Sequence, residues 1–114
     1  MALFSFLFGS EKNESVFLIE THELKEAVTQ HNVQLIDIRT PNEFSSGHIE
    51  NAVNVDFFNQ NNFKATFTKL DKKKPLYIYC RSGNRSSRAA KQLAGLGFEK
   101  IYDLKGGYMK WRNQ

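Results

Sequence analysis

Residues 76–88 read LYIYCRSGNRSSR and carry the clearest structural pattern of the chain. The first four residues, Leu76–Tyr79, are apolar throughout, as is typical of a parallel strand buried on both faces. A loop of small, polar and basic residues follows Cys80, the single cysteine of the chain. A helix is then predicted to begin near Arg85 or Ser86, because apolar residues recur at helical spacing further on. The stretch therefore predicts a buried strand, a loop and a helix in succession.

Strand-like and helix-like patterns alternate on both sides of this stretch. Apolar and β-branched runs predict four further strands, at residues 16–19, 35–38, 53–55 and 101–104. Helices are predicted to start at Thr21 and at Thr40, where Thr40 and Glu43 form a capping box. A third helix is predicted over residues 58–70, and a last helical turn carries Trp111. This alternation predicts an α/β fold with a mainly parallel five-stranded sheet, flanked by helices on both faces.

Length and composition fit a single globular domain. The chain has 114 residues, of which 40% are hydrophobic and 25% are charged, close to the average of globular proteins. These values exclude collagen-like, disordered and disulfide-scaffold classes. We expect one domain over residues 16–114, preceded by an extension at residues 1–15. No apolar run approaches the roughly 20 residues that a membrane-spanning helix needs.

The extension contains an apolar run from Ala2 to Phe8, ALFSFLF. The run lacks the positively charged start and the small-residue cleavage site of a secretory signal, so we expect a cytoplasmic protein. It could form a loosely ordered tail, lie on a membrane surface, dock on the domain or support self-association. The sequence leaves these alternatives open.

Positive charge is concentrated in one short segment. The net formal charge is +4, and Arg81, Arg85 and Arg88 are three of the five arginines; without them, 13 basic residues face 12 acidic ones. A local cluster suits a small anion, whereas nucleic-acid binding usually needs a broad basic face, so we expect no nucleic-acid partner. The other basic cluster, Lys72 to Lys74, is expected to lie in a solvated loop.

Cys80 is the candidate nucleophile, because ligands of open α/β sheets bind at the carboxyl ends of strands. The N–H groups that begin a helix, and neighbouring arginines, lower the pKa of a thiol. Gly83 permits backbone conformations closed to other residues, and Asn84 tolerates left-handed geometry. The loop can therefore turn successive N–H groups inward as an anion-binding nest. The alternative is a buried structural thiol, which would not need three arginines nearby.

Three motifs, taken in order, resemble the single-domain members of the rhodanese family of sulfurtransferases. They are LIDIRTPNEF at residues 35–44, which runs into Gly47-His48-Ile49; CRSGNR at residues 80–85; and GGYMKW at residues 106–111. The resemblance covers about residues 16–112 and implies a parallel sheet flanked by helices. Where the family usually carries a glycine, this chain has Asn51, which also adopts positive φ readily.

The resemblance implies a persulfide mechanism. Cys80 would attack the outer sulfur of thiosulfate or of another small anionic donor, and a thiol or cyanide acceptor would then remove the terminal sulfur. A sulfur-relay protein is a further candidate partner. The substrate-binding residues would be those of the loop: Arg81, Ser82, Gly83, Asn84 and Arg85. Whether Arg81 or Arg85 holds the donor stays open, and the serines at positions 82, 86 and 87 could donate to sulfur or cap the helix.

Other functions fit parts of the same pattern. One alternative is a non-catalytic rhodanese-like module for binding or redox sensing. The related dual-specificity phosphatases and arsenate reductases carry five residues between cysteine and arginine, whereas four separate Cys80 from Arg85. A phosphate needs a wider ring of donors than one sulfur atom, so the shorter loop favours sulfur transfer.

Neither a metal nor a cofactor is expected, since the chain lacks the ligand spacings of common metal sites. Four polar residues of the first motif are interpreted as structural, joining the second strand to the following turn: Asp37, Arg39, Glu43 and His48.

Overall fold

The computed structural model describes residues 14–114, so the run from Ala2 to Phe8 lies outside the described residues. The strands are β1 (Val16–Ile19), β2 (Gln34–Asp37), β3 (Val53–Asn54), β4 (Leu76–Tyr79) and β5 (Ile101–Leu104). The helices are α1 (Thr21–Gln30), α2 (Pro41–Ser45), α3 (Gln60–Thr68), α4 (Asn84–Gly95) and α5 (Gly107–Arg112). Across this described part of the chain, no helix combines the length and the apolar character that crossing a membrane requires.

The five strands form one sheet in the order β1-β5-β4-β2-β3, and every pair is parallel. Strand β4 lies at the centre, with Ile78 level with Asp103 of β5 and Ile36 of β2. The predicted α/β fold with a parallel five-stranded sheet is confirmed. Because β4 is central, the residue that follows it lies in the middle of the carboxyl edge of the sheet.

Both faces of the sheet are covered by helices, as predicted. On one face, α3 contributes Phe63 and Phe67, and α4 contributes Ala89, Ala90 and Leu93, to an apolar cluster that also holds Ile78 and Cys80. On the other face, Leu24 of α1 and Trp111 of α5 pack with Tyr79 and Leu104. Strand β4 therefore has buried side chains on both of its faces, which explains its continuous apolar sequence.

Local signals fix the ends of several helices. The capping box of Thr40 and Glu43 is present, with the two reciprocal bonds at 2.9 and 3.3 Å. Helix α1 starts at Thr21 as predicted, but its cap is Glu20, whose side chain and that of Glu23 form a second capping box. Asn51 has a φ of +72°, so it takes the left-handed conformation expected of it.

Two local expectations differ from the structure. Helix α3 is shorter than the predicted 58–70, because Asn59 caps it and it ends at Thr68. Of the three lysines expected in a solvated loop, Lys73 and Lys74 are exposed, but Lys72 is half-buried. Its Nζ donates to the carbonyl oxygens of Phe67, Thr68 and Leu70 at 3.1, 2.7 and 3.0 Å. The ammonium group thereby satisfies carbonyl groups at the helix C-terminus that have no partner within the helix.

Candidate active site

The thiol of Cys80 lies directly after β4, at the carboxyl edge of the sheet. Its Sγ accepts the backbone N–H of Gly83 at 3.1 Å and that of Ser86 at 3.3 Å. The Ser86 hydroxyl oxygen lies 3.5 Å from Sγ. The side chain is only 1% exposed and belongs to the apolar cluster beneath α4. The sulfur is therefore buried as an apolar group would be, yet two backbone N–H groups donate to it.

The loop turns back on the sulfur because of its glycine. Gly83 precedes the first residue of α4 and has a φ of +116°, a conformation that side chains rarely allow. Helix α4 therefore begins at Asn84, one residue before the predicted start. Asn84 does not use its tolerance of left-handed geometry, since it is the first residue of α4 and Asn51 alone has positive φ among the non-glycine residues of 14–114.

Helix α5 is attached to the back of the loop through its own backbone. The N–H of Tyr108 donates to the carbonyl of Cys80 at 2.9 Å, and the N–H of Met109 donates to the carbonyl of Arg81 at 3.0 Å. This contact requires glycine at position 107, where a Cβ would lie 2.5 Å from the Arg81 carbonyl oxygen. The glycine pair of the third motif thus allows two backbone segments to meet.

Arg85 is held by an acid that is distant in sequence. Its guanidinium forms a two-bond pair with Glu43 of α2, at 2.8 and 2.9 Å. The hydrogen bond from Arg85 lowers the pKa of Glu43 to about 2. Glu43 was interpreted as joining the second strand to its turn, and it does bond to Thr40, but its main partner is Arg85. The residues from Cys80 to Arg88 include no acid. The fold brings the Glu43 carboxylate of α2 to this segment, where it pairs with Arg85.

The other polar residues of the first motif hold the turn after β2, as interpreted. The Arg39 guanidinium bonds the Asp37 carboxylate at 2.6 Å and the Gly47 carbonyl at 2.7 Å, and it lies 4.5 Å from the Tyr108 ring centre. His48 is exposed and stacks on Phe44 of α2. These contacts join β2, the turn at Gly47 and α5 into one wall beside the loop.

A cavity of about 190 Å³ opens next to this wall. Arg81 lines it from the loop and Glu43 from α2, while Tyr108, Met109 and Arg112 line it from α5. Its remaining lining residues are Arg39, Ser46 and Gly47. The cavity carries more cationic than anionic groups, because it presents three arginines and one glutamate.

The structure brings the predicted loop residues together around one sulfur but gives them different positions. Gly83 contacts Sγ through its N–H, and Arg85 is bound to Glu43. The side chains of Arg81, Ser82 and Asn84 are exposed, and so is that of Ser87. Arg88 lies over the Phe57 ring, 5.5 Å from its centre. The pKa of Arg85 is raised, mainly by its hydrogen bond with Glu43 and also by the nearby Cys80, so this arginine lies close to the thiol as the sequence predicts.

Of the three serines that the sequence offers as donors to sulfur, Ser86 is the one that contacts Sγ. It is fully buried, and its backbone N–H donates to Sγ at 3.3 Å. Its hydroxyl oxygen accepts from the thiol at 3.5 Å, and the hydroxyl donates to the Gly83 carbonyl at 3.3 Å. Ser86 lies in the first turn of α4, where N–H groups have no partner within the helix.

A buried acid lies on the same side of the sheet. Asp103 of β5 is 2% exposed, and its Oδ1 has no hydrogen-bond partner among the described residues. Burial raises the pKa of Asp103 to about 6, and a hydrogen bond from Ser86 acts in the opposite direction. Sequence reasoning missed this residue, because its stretch has the pattern of an ordinary strand.

Known proteins resemble this chain in sequence and in fold. YqhL, an uncharacterized protein of Bacillus subtilis (strain 168), is 45% identical over 78 residues, which are 68% of this chain and 60% of that protein. The thiosulfate sulfurtransferase GlpE of Pseudomonas syringae pv. syringae (strain B728a) is 37% identical over 91 residues, 79% of this chain and 82% of that enzyme. A rhodanese-like domain protein from Staphylococcus aureus superposes with a TM-score of 0.73 at 28% identity, covering 82% of this chain and 89% of that one.

The match to a family is broader than the match to any of these relatives. Residues 20–114 fit the sequence model of the rhodanese-like domain. This range includes all three motifs, the loop around Cys80 and the backbone contact between α5 and that loop. The chain belongs to the rhodanese-like domain family.

Proposed function

We propose that this protein is a sulfurtransferase that carries sulfur as a persulfide on Cys80. The observation that supports this most directly is the pair of N–H groups, from Gly83 and Ser86, that reach Sγ at 3.1 and 3.3 Å. Fixed N–H donors stabilise a thiolate and then the negative charge of a persulfide, because they need no reorganisation as that charge develops. The relatives named thiosulfate sulfurtransferase support the same reaction class.

The reaction has two displacement steps. The Cys80 thiolate attacks the outer sulfur of thiosulfate, the sulfur–sulfur bond of the donor breaks, and sulfite leaves with the bonding electron pair. The enzyme now holds Cys80–S–S⁻. An acceptor thiolate or cyanide attacks the terminal sulfur, the bond between the two sulfurs breaks, and the electron pair returns to Cys80 as thiolate. No net oxidation of the protein occurs, and Cys80 serves as the covalent nucleophile.

The arginines of the loop have separate roles in this proposal. Arg85 is neutralised by Glu43, so its part is to fix α2 against the start of α4. Arg81 is exposed and lines the cavity beside the loop, which makes it the arginine of this pair that is available to an anionic donor. The side chains of Ser82 and Asn84 are exposed, and Gly83 acts through its backbone.

The test is the intact mass of the protein after incubation with thiosulfate. We expect wild type to gain the mass of one sulfur atom and to lose it when cyanide or a thiol is added, with thiocyanate or an acceptor persulfide as product. Cys80→Ser is the matched control and should stay unlabelled. Because Cys80 is the only cysteine, any labelling of the variant, or none of wild type with thiosulfate or small persulfides, would contradict the proposal.

The 1% exposure of Cys80 favours a second candidate, a non-catalytic rhodanese-like module that binds a partner. In that case the loop would present a surface and the thiol would be a core residue. The intact-mass measurement separates the two candidates, because a non-catalytic module acquires no sulfur. If the protein is such a module, Cys80→Ala also binds its partner as well as wild type does.

A further inference from the structure

Only two of the five arginines are available to a ligand in the cavity beside the loop. The other three are not available. Arg39 is bound to Asp37, and Arg85 is bound to Glu43. Arg88 lies over the Phe57 ring and does not line the cavity. Arg81 and Arg112 both line the cavity and are exposed. Neither forms an ion pair with a carboxylate within residues 14–114.

The charges around the cavity therefore sum to two positive units. The Arg39 charge is balanced by the buried Asp37 carboxylate, which lies 2.6 Å away. The Glu43 carboxylate also lines the cavity, but both of its oxygens accept bonds from Arg85, at 2.8 and 2.9 Å. The two remaining charges, on Arg81 and Arg112, match a ligand that carries two negative charges.

The two arginines come from different elements that the backbone locks together. Arg81 directly follows Cys80, and Arg112 is the last residue of α5. The N–H groups of Tyr108 and Met109 donate to the carbonyls of Cys80 and Arg81, so the start of α5 is fixed to the loop. Tyr108 and Arg112 are four residues apart and share one face of the helix, which directs both toward the cavity.

The cavity is also small. Its volume of about 190 Å³ lies below the range of roughly 300–1,000 Å³ that is usual for pockets holding drug-sized ligands. A compact oxyanion fits within this open cavity, whereas a peptide-sized persulfide would extend beyond it.

We infer that Arg112, which lies outside the Cys80 loop, is a specificity-determining residue that together with Arg81 selects a compact dianion as the sulfur donor. This inference rests on the proposed sulfurtransferase function. The oxygen atoms of the donor contact the two guanidinium groups, and Arg81, which directly follows Cys80 in the chain, holds the donor beside the loop that carries the nucleophile. Arginine suits this task because its planar donors match an oxyanion with two parallel bonds.

The test compares Arg112→Gln and Arg81→Gln with Arg88→Gln, an exposed arginine that does not line the cavity. Two donors are used: thiosulfate, a dianion, and methanethiosulfonate, which offers the same transferable sulfur with a single charge. We expect Arg112→Gln to raise the KM for thiosulfate about tenfold or more, as for the loss of one charge-assisted hydrogen bond, with little change in kcat. The KM for methanethiosulfonate should change less than twofold, and Arg88→Gln should behave as wild type with both donors.

A binding measurement keeps this inference separate from the proposed function. Thiosulfate is titrated calorimetrically into two proteins, the Cys80→Ser variant and the double variant that also carries Arg112→Gln. Neither protein can transfer sulfur, so the titration measures binding alone. If wild type transfers no sulfur but Arg112→Gln weakens this binding, the dianion site stands and the proposed function fails. If sulfur transfer is intact and Arg112→Gln changes neither KM nor binding, the inference is overturned and the proposed function stands. Absence of thiosulfate binding to Cys80→Ser also overturns the inference.

Discussion

Cys80 and Asp103 show two ways in which a polar group can be buried in this protein. The sulfur of Cys80 is surrounded by apolar residues, but two N–H groups and the Ser86 hydroxyl compensate for its loss of water. Asp103 has no such compensation at Oδ1. An ionised carboxylate without a cationic partner is costly to bury, so its burial opposes folding at neutral pH.

Replacing Asp103 by asparagine is therefore expected to stabilise the protein at neutral pH. The pKa of Asp103 is raised to about 6 from an ordinary 3.8, so the folded state binds the proton more readily than the unfolded state. The contribution of Asp103 to the free energy of unfolding therefore falls as the pH rises from about 4 to about 6, and it stays low above that range. Urea unfolding should show Asp103→Asn to be more stable than wild type by about 2–3 kcal/mol at pH 8, and the difference should shrink towards pH 4.

The control for this prediction is Glu99→Gln, which removes an exposed carboxylate. It should change stability by less than about 0.5 kcal/mol, as is usual for surface substitutions. If Asp103→Asn were less stable than wild type at pH 8, or if its gain were the same at every pH, the carboxylate would not be an uncompensated charge.

The contact between α5 and the Cys80 loop explains the glycine pair at positions 106 and 107. A parallel sheet leaves the carbonyl groups of the loop without strand partners, and the first N–H groups of a helix likewise have none within the helix. The two sets satisfy each other only if the backbones approach closely. Gly107 permits this approach, since a Cβ there would overlap the carbonyls of both Cys80 and Arg81.

Gly107→Ala is expected to displace the loop and to abolish most sulfur transfer. A Cβ at this position would lie 2.5–2.6 Å from backbone atoms, which cannot rotate away as a side chain can. We expect at least a tenfold loss of kcat/KM in the sulfur-transfer assay, because misplacement of about 1 Å can cost far more than that.

Gly97→Ala provides the matched control for the glycine substitution. Gly97 also has a positive φ, of +105°, but no atom lies within 4 Å of its added Cβ. Both variants should lose about 1 kcal/mol of stability through backbone strain, and Gly107→Ala should lose more because its Cβ also overlaps backbone atoms. Equal activity of the two variants would show that close approach at Gly107 is not needed by the loop.

In the molecule as a whole, one apolar cluster supports the candidate site. Phe63 and Phe67 of α3 and the alanines and leucine of α4 pack on the same side of the sheet as Cys80. Their burial fixes α4, and hence the N–H groups of Gly83 and Ser86, over the end of β4. The site and the folded state are therefore expected to be lost together.

Phe67→Ala should lower the free energy of unfolding by about 3–5 kcal/mol, the cost typical of removing a fully buried phenylalanine. This is a large part of the roughly 5–15 kcal/mol that stabilises a domain. Phe58→Ala is the control, because Phe58 is 62% exposed, and it should cost less than about 1 kcal/mol. Urea denaturation measures both variants, and similar losses for the two would contradict the assignment of the core to the α3 side chains.

Much of the site can be predicted from sequence because its central part is local. Strand β4, Cys80, the turn at Gly83 and helix α4 are contiguous, so the backbone alone determines that N–H groups lie near the sulfur. The parallel sheet can be predicted for a similar reason, since alternating strands and helices leave few other arrangements. The capping box at Thr40 and the left-handed turn at Asn51 depend on neighbouring residues only.

The α/β class, the position of Cys80 and the turn at Gly83 follow from residues that are close along the chain, so they can be predicted without a structure. The groups that other elements bring to the loop can be identified only in the folded protein: Glu43 on Arg85, Gly107 behind Cys80, Asp103 near Ser86, and Arg112 in the cavity that Arg81 lines. These pairs are 17 to 42 positions apart along the chain, so no pattern of neighbouring residues predicts them. They form only because the strand order places β4 between β5 and β2, which no local pattern specifies.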